Sequence, residues 1–521
     1  MPVSSSVSKS GRLEQAALVV ILLVLAVVRL PGIYSRAIDY REALTLLETS
    51  GHMDPVWPSE PAPVLASKSQ IQGATIQNRR SLEHPWLHPW LVSVWRQWAG
   101  DSLEAIRILS LPFSLIALAA LYALLRAADF EFPLIPVWFF GLTLNSVHQA
   151  QEATDYAVAS GLTGAATLGA FLAAGAESGR RLWGYSLATG LCAALALNAS
   201  YITLFPAGVI LLWLAGSIWR VSRVAALLPC VVVTGGFVVA VLERYASGMW
   251  GPPGAITVAR AFFTLVRMNF FSLYTPAYLP MPAAMLVWVL LLALFVWSIL
   301  VIRRQWPRSG RGLLVLLIGV GLSCSAGVFL LNVVFGKHFM EPRYLLFSAP
   351  AVAVLVSYAL VRLLAARRAA GLAVLVMVTA IQLTGINWGQ EKAPAFVRGS
   401  RIRSLARAVE RGGSASQIVV APTGKGRGGI PAMVAYELPA SAQWLVLDED
   451  ADVSRVASAL EPYELVWVVS SFEWQTAAVE KALRERLGEQ GRKREQYELQ
   501  EWELWRLSQP GAPGSPSAAS K

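Results

Sequence analysis

Between residues 16 and 387 the chain alternates long apolar runs with short polar gaps. The runs lie near 16–33, 105–126, 133–148, 156–175, 183–199, 202–218, 224–242, 283–302, 312–335, 345–364 and 370–387. Most are long enough for a helix to cross ~30 Å of hydrocarbon, so they predict about eleven transmembrane helices. After residue 387 the period shortens: 417–421, 443–447, 464–469 and 501–507 read as strands, and 452–460 and 473–488 as helices. The expected fold is thus an α-helical polytopic membrane domain over 1–387, with a large first external loop at 34–104, followed by a small external α/β domain over 388–508. Residues 509–521, rich in Pro, Gly, Ser and Ala, are expected to be disordered.

The gaps set an orientation. Arg126, Arg180 with Arg181, Arg220 with Arg223, the group Arg303, Arg304, Arg308 and Arg311, and then Arg362, Arg367 and Arg368 alternate with basic-poor gaps. Cytoplasmic loops carry the excess of Lys and Arg, so these turns and the N-terminus with Lys9 and Arg12 are expected inside, and the C-terminal domain on the periplasmic or extracytoplasmic side of an inner (plasma) membrane. A content of 55% hydrophobic and 15% charged residues, with mean hydropathy +0.51, argues against a soluble enzyme. The net charge of +11 is spread beside membrane spans, where it meets anionic lipid headgroups, and does not point to nucleic acid. Cys192, Cys230 and Cys324 all lie within apolar runs without ligand-like spacing.

Charge is costly in hydrocarbon, so chemistry belongs at the outward helix ends. The first loop opens with Asp39-Tyr40-Arg41-Glu42, a helix start whose two carboxylates share one face. One carboxylate could act as a general base while the other tunes it; a helix cap plus a solvated glutamate is the other reading. Ala43, Leu44 and Leu47 give this helix an apolar side suited to the membrane surface. Glu83-His84-Pro85-Trp86 begins a Trp-rich segment that also reads as an interfacial belt. His84 and His88 are four apart, but no third metal ligand has an evident spacing. Gln151, Glu152 and Tyr156 form a polar knot between two spans, read either as capping or as the floor of a sugar pocket. Lys337, His338 and Arg343-Tyr344 gather positive charge on the basic-poor face, where a phosphate is the natural anion. Pro422 to Gly429 lacks the spacing of a phosphate-binding P-loop and reads as a flexible loop.

In order, these segments resemble the polyprenyl-phosphate-sugar-dependent membrane glycosyltransferases of the GT-C superfamily, among them bacterial lipopolysaccharide-core transferases and protein mannosyltransferase relatives. The resemblance covers about the first 360 residues. It rests on Asp39 to Leu47, on His84-Pro85-Trp86-Leu87 through Gly100-Asp101, on Arg107-Ile108-Leu109-Ser110, on Gln151-Glu152-Ala153-Thr154-Asp155-Tyr156, and on Arg343-Tyr344. It departs from the family at Arg41, where the acid would stand, at Trp86 and at Thr154.

The resemblance implies inverting transfer of a sugar from a polyprenyl-phosphate donor to a hydroxyl of a cell-envelope glycan, lipid or protein. Asp39 or Glu42 would be the base; Glu83, His84, Gln151, Glu152 and Tyr156 would bind substrate; Lys337, His338, Arg343 and Tyr344 would hold the lipid phosphate. No cofactor is implied, and a divalent metal requirement is left open. The alternative is a polytopic transporter or lipid flippase, against which stands the lack of a clear repeat between halves.

Overall fold

The structure, a computed structural model, describes residues 9–51, 56–73, 85–177, 179–247, 289, 293, 296, 297, 300, 308–333, 342–392, 394–412, 416–423, 429–469, 477–496 and 502–507. In chain order its longer elements begin with α1 (Lys9–Ser35), α2 (Tyr40–Ser50), β1 (Ala62–Pro63), α3 (Val64–Ile71), α4 (Leu87–Ala99), α5 (Leu103–Ile108) and α6 (Ser110–Ala127). There follow α7 (Leu134–Gly141), α8 (Leu144–Gln149), α9 (Asp155–Ala174), α10 (Gly179–Ala199), α11 (Leu204–Ile218), α12 (Arg223–Ser247), α13 (Arg308–Val333), α14 (Ala349–Ala366) and α15 (Arg368–Lys392). The last part holds α16 (Pro394–Gly412), β2 (Gln417–Pro422), α17 (Gly429–Glu437), β3 (Gln443–Leu447), α18 (Val453–Leu460), β4 (Leu465–Val469), α19 (Ala477–Glu489), β5 (Arg492–Gln496) and β6 (Trp502–Leu507). Short 3-10 turns sit at Tyr201–Thr203 and Pro342–Ser348. These elements form two compact units, Met1–Ser35 with Arg79–Ala393, and Arg36–Asn78 with Pro394–Lys521.

The first unit is a helical membrane bundle. Among the described residues eight helices are long and apolar enough to cross a membrane, from Arg12–Ser35 to Arg368–Ile386. The apolar run at 133–148 is not one continuous span: it breaks into α7 and α8, because Thr143 turns to extended backbone and caps the second helix with its hydroxyl. The run at 224–242 lies within α12, and the run at 283–302 falls almost wholly outside the described residues.

Small residues let these helices approach closely. A Cβ on Gly161 of α9 would stand 2.6 Å from the Phe113 carbonyl of α6, and Gly164 lies against Ala117 and Ala120, so the two helices run parallel. The Ser110 hydroxyl also donates to the Glu152 carbonyl at 2.6 Å, which joins their N-terminal ends. At the opposite end Arg126 pairs with Glu14 of α1 at 3.1 Å. Gly190 and Gly236 set α10 parallel to α12, whereas Trp213, Val209 and Phe205 meet Gly312, Gly319 and Gly327 in antiparallel order along α11 and α13. The helix directions therefore gather the basic-rich turns, among them Arg126, Arg220, Arg223 and Arg311, at one end.

The second unit is a six-stranded sheet of order β1-β3-β2-β4-β6-β5. Its centre, β3-β2-β4, is parallel, and β1, β6 and β5 add antiparallel pairs. These central strands are apolar runs buried on both faces, as a covered parallel sheet requires. Ile418, Val420, Leu445 and Leu447 pack on one side with Val456, Leu460, Leu483 and Leu487 of α18 and α19. On the other side Trp444 is fully buried, its indole N–H 3.2 Å from the Ser67 hydroxyl and its ring edge-on to Trp57.

That second face is built from the first loop. Residues 36–78 contribute α2, α3 and the edge strand β1, with Val446 N–H bonded to the Pro58 carbonyl at 2.7 Å, while 79–104 go with the bundle. Helix α2 starts where expected, at Asp39, but it is not a membrane-surface helix. Glu42 through Ser50 are all buried, with polar Thr45, Glu48 and Thr49 enclosed along with Leu44, Leu46 and Leu47. Its neighbours are α17 and α3, and Tyr40 lies on Gly429, whose Cβ would come within van der Waals overlap of the ring. The two-residue β1, the strand β5 and the helix α17 carry too weak a periodic signal to stand out in the sequence, whereas α16 had one, Ile402, Leu405, Ala406 and Val409 at helical spacing, that sequence reading missed.

Candidate active site

At the end of the bundle away from the basic turns, the ends of several helices converge in a buried polar cluster. The fully buried Arg29 of α1 donates to the carbonyls of Leu25 at 2.7 Å and Gly141 at 2.9 Å and to the Ser146 hydroxyl at 3.0 Å. The Gln151 amide lies against Gly32 and donates to the Arg29 carbonyl at 3.0 Å. Arg107, also fully buried, donates to the Ile33 carbonyl at 3.1 Å. Arg107 thereby binds α1 and Ser110 the turn before α9, so this pair of the Arg-Ile-Leu-Ser motif has a structural duty.

Above these ties, Tyr156 opens α9 and the Arg343 guanidinium lies over its ring at 5.7 Å, a cation–π contact. Glu152, Thr154 and Asp155 are buried beside it in sequence. A cavity of about 10 Å³ is lined by Ser114, Ser146, Gln149, Ser160 and Leu346. A second cavity, of about 40 Å³, shares Ala117, Phe140 and Ser160 with the first and continues along α9 past Thr163 and Thr167 among apolar side chains. Both are narrow, and together they form a seam along α9 that is hydroxyl-lined at one end and apolar at the other.

The acidic segment belongs to the α/β unit. Asp39 is half-buried, takes extended backbone (φ −91°, ψ 159°) and caps α2. The Glu42 carboxylate accepts the Asp39 backbone N–H at 3.0 Å, the reciprocal half of a capping box. Glu42 is therefore not solvated; it is fully enclosed. One residue earlier, Ile38 N–H donates to Glu437 at 3.2 Å, and Glu437 is gripped by Arg403. Lys68 Nζ donates to the Tyr436 carbonyl at 3.1 Å; burial pushes its pKa down, and the nearby Glu437 charge partly opposes this.

Of the residues singled out from the sequence, Tyr156 and Arg343 meet directly, and Gln151 and Glu152 lie next to them in the same cluster. Asp39 and Glu42 meet through the capping box. Glu83, His84, Lys337 and His338 lie outside the described residues, and Tyr344 is placed only as part of the 3-10 turn. The Gly100-Asp101 turn is structural: Gly100 takes φ 92°, and Asp101 accepts from buried Arg96 at 2.8 Å, offsetting the burial that lowers the Arg96 pKa. Trp86 bonds Asn198 at 2.8 Å and so is a tether to α10. Among the described residues no group of three His, Cys, Asp or Glu could hold a metal ion. Sequence reading missed Arg29, Arg403 and Glu437. Arg29 had a signal, as the one charged residue deep in the first apolar run; the other two pair across 34 residues and had none.

No protein-family model and no curated protein matches the chain. Solved structures do. ArnT from Cupriavidus metallidurans in the apo state aligns at TM-score 0.56 and 13% identity, over 95% of this chain and 98% of that one. The same protein bound to undecaprenyl phosphate aligns at 0.53 and 12%, over 97% and 100%. The mycobacterial arabinofuranosyltransferase AftD aligns at 0.50 and 14%, over 95% of this chain but 42% of that one. At such identities the likeness speaks to the fold, and it extends through both units: the chain carries the GT-C glycosyltransferase fold, a polytopic helical membrane domain with an α/β domain.

Proposed function

We propose that this chain is an integral membrane glycosyltransferase that moves a sugar from a polyprenyl-phosphate donor to a hydroxyl of a cell-envelope glycan, lipid or protein, with inversion at the anomeric carbon. The observation that carries the reading is the Arg343–Tyr156 stack beside a hydroxyl-lined seam, at the end of a GT-C-fold bundle opposite its basic turns. A cation held there suits a phosphate at the membrane surface, and the seam's apolar continuation suits a hydrocarbon chain. In its ligand-bound structure ArnT holds undecaprenyl phosphate, which supports the same donor class here.

The roles follow from the residues. Asp39 takes the proton of the acceptor hydroxyl as its oxygen attacks the anomeric carbon. The bond from that carbon to the phosphate oxygen breaks, and its electron pair stays on the lipid phosphate, where Arg343 and the sequence-assigned Lys337 and His338 offset the charge. Glu42 is the second choice for the base, because it is fully enclosed whereas Asp39 is only half-buried. Gln151, Glu152 and Tyr156, with Glu83, His84 and Tyr344, are assigned to substrate. The N-terminus is assigned to the cytoplasm of an inner membrane and the α/β domain to the far side.

The test is purified full-length chain in lipid nanodiscs, supplied with a panel of undecaprenyl-phosphate hexoses and pentoses and a crude envelope acceptor fraction. Sugar transfer with release of undecaprenyl phosphate, abolished in Asp39→Asn, is the expected result. A well-folded chain that releases no undecaprenyl phosphate from any donor but moves labelled lipid between leaflets would favour the flippase class instead.

A further inference from the structure

The backbone just before the residue assigned above as the base is bound by a side-chain fork from the C-terminal part of the chain. Arg403 of α16 donates from Nε to Glu437 Oε2 and from Nη2 to Glu437 Oε1, both at 2.9 Å. The same Nη2 donates to the Arg36 carbonyl at 3.0 Å, and Glu437 Oε1 accepts the Ile38 N–H at 3.2 Å. The ion pair thus grips the backbone of 36–38 from both sides, by a donor to one peptide and an acceptor from another. Immediately after it, Asp39 N–H is held by Glu42 and Tyr40 is seated on Gly429. Glu437 is nearly enclosed, with 8% of its side chain exposed, and Arg403 is 25% exposed, so the pair is less open than a surface ion pair to the screening that weakens those.

We propose that Arg403 and Glu437 are positioning residues for Asp39: they set the backbone from which its carboxylate projects, and so make the C-terminal domain part of the transfer machinery. This rests on the assignment of Asp39 as the base. A bidentate Arg–carboxylate fork fixes direction as well as distance, and a general base displaced by ~1 Å loses rate by about 10²-fold. An ion pair that merely stapled α16 to α17 would need no bonds to residues 36 and 38.

Full-length Arg403→Lys, Asp39→Asn and the swap Arg403→Glu with Glu437→Arg would be compared in nanodiscs. The readouts are thermal midpoint, hydrogen exchange of residues 36–42, and kcat and KM on whichever undecaprenyl-phosphate sugar the wild type transfers fastest. In Arg403→Lys, faster exchange at 36–42 and a fall of about 10²-fold in kcat at constant donor KM are expected. The swap should regain thermal midpoint but not kcat, because Glu at 403 cannot donate to the Arg36 carbonyl and Arg at 437 cannot accept from Ile38 N–H. Unchanged exchange at 36–42 in Arg403→Lys, or a swap that restores kcat along with stability, overturns the positioning role. So does wild-type kcat in Arg403→Lys while Asp39→Asn is inactive, which leaves the base assignment standing. Normal turnover in Asp39→Asn removes both.

Discussion

At the residue scale the two carboxylates of the Asp39–Glu42 pair have been given different environments. Each carboxylate accepts the other residue's backbone N–H in the capping box, but Glu42 is enclosed whereas Asp39 sits half-buried at the helix mouth. Asp39→Asn should therefore cost kcat about 10²- to 10⁴-fold with little change in donor affinity. Glu42→Gln keeps an oxygen for the same N–H and should cost less; steady-state kinetics on both variants reverses this ranking if Glu42 is the base. Arg343→Ala should raise donor KM and lower kcat, while Tyr156→Phe, which keeps the ring beneath the guanidinium, should remain near wild type. Lys68 adds a pH signature. Its pKa is lowered in the folded chain, so between that value and the ordinary lysine value the unfolded chain binds more protons, and stability rises as pH climbs through this window. Thermal midpoints across alkaline pH should show the rise, and Lys68→Met should flatten it.

At the element scale, glycines decide where the membrane helices touch. Gly161 faces a backbone carbonyl of α6, which cannot swing aside, whereas Gly208 of α11 has nothing within 4 Å. Gly161→Ala should destabilise the bundle by about 1–3 kcal/mol through overpacking. Gly208→Ala should be neutral or stabilise by up to ~1 kcal/mol through helix propensity. Paired thermal melts in one detergent compare the two directly, and equal midpoints would mean that α6 and α9 do not pack at Gly161. The break between α7 and α8 belongs to the same scale: it turns an apolar run into two short helices and delivers Ser146 and Gln149 to the polar end.

At the scale of the whole molecule, the sheet cannot be completed by either terminal segment alone. The C-terminal segment supplies β2 to β6, and the first loop supplies β1, α2 and α3. Deleting residues 394–521 strips the partner strands and helices from 36–78, so the helical unit should still insert while sugar transfer falls to background. Membrane fractionation and the nanodisc assay measure the two outcomes separately. Reporter fusions after Gly389 test the orientation, with a reporter outside the cytoplasm expected.

What the sequence determined by itself follows from local or one-dimensional rules. Apolar runs long enough for hydrocarbon mark the spans, the alternation of basic turns orders their ends, and short β-rich runs mark the central strands at 417–422, 443–447 and 465–469. The cap at Asp39 and its partner three residues on are likewise readable, because a capping box is local. What only the tertiary structure decided involves partners far apart in the chain. The stack of Arg343 on Tyr156, the grip of Arg403 and Glu437 on residues 36–38, and the passage of the first loop into the C-terminal sheet all join segments whose spacing carries no periodic signal. Glu42 shows the same division: one reading of the sequence makes it a solvated glutamate, and the packing of α2 on α3 and α17 encloses it.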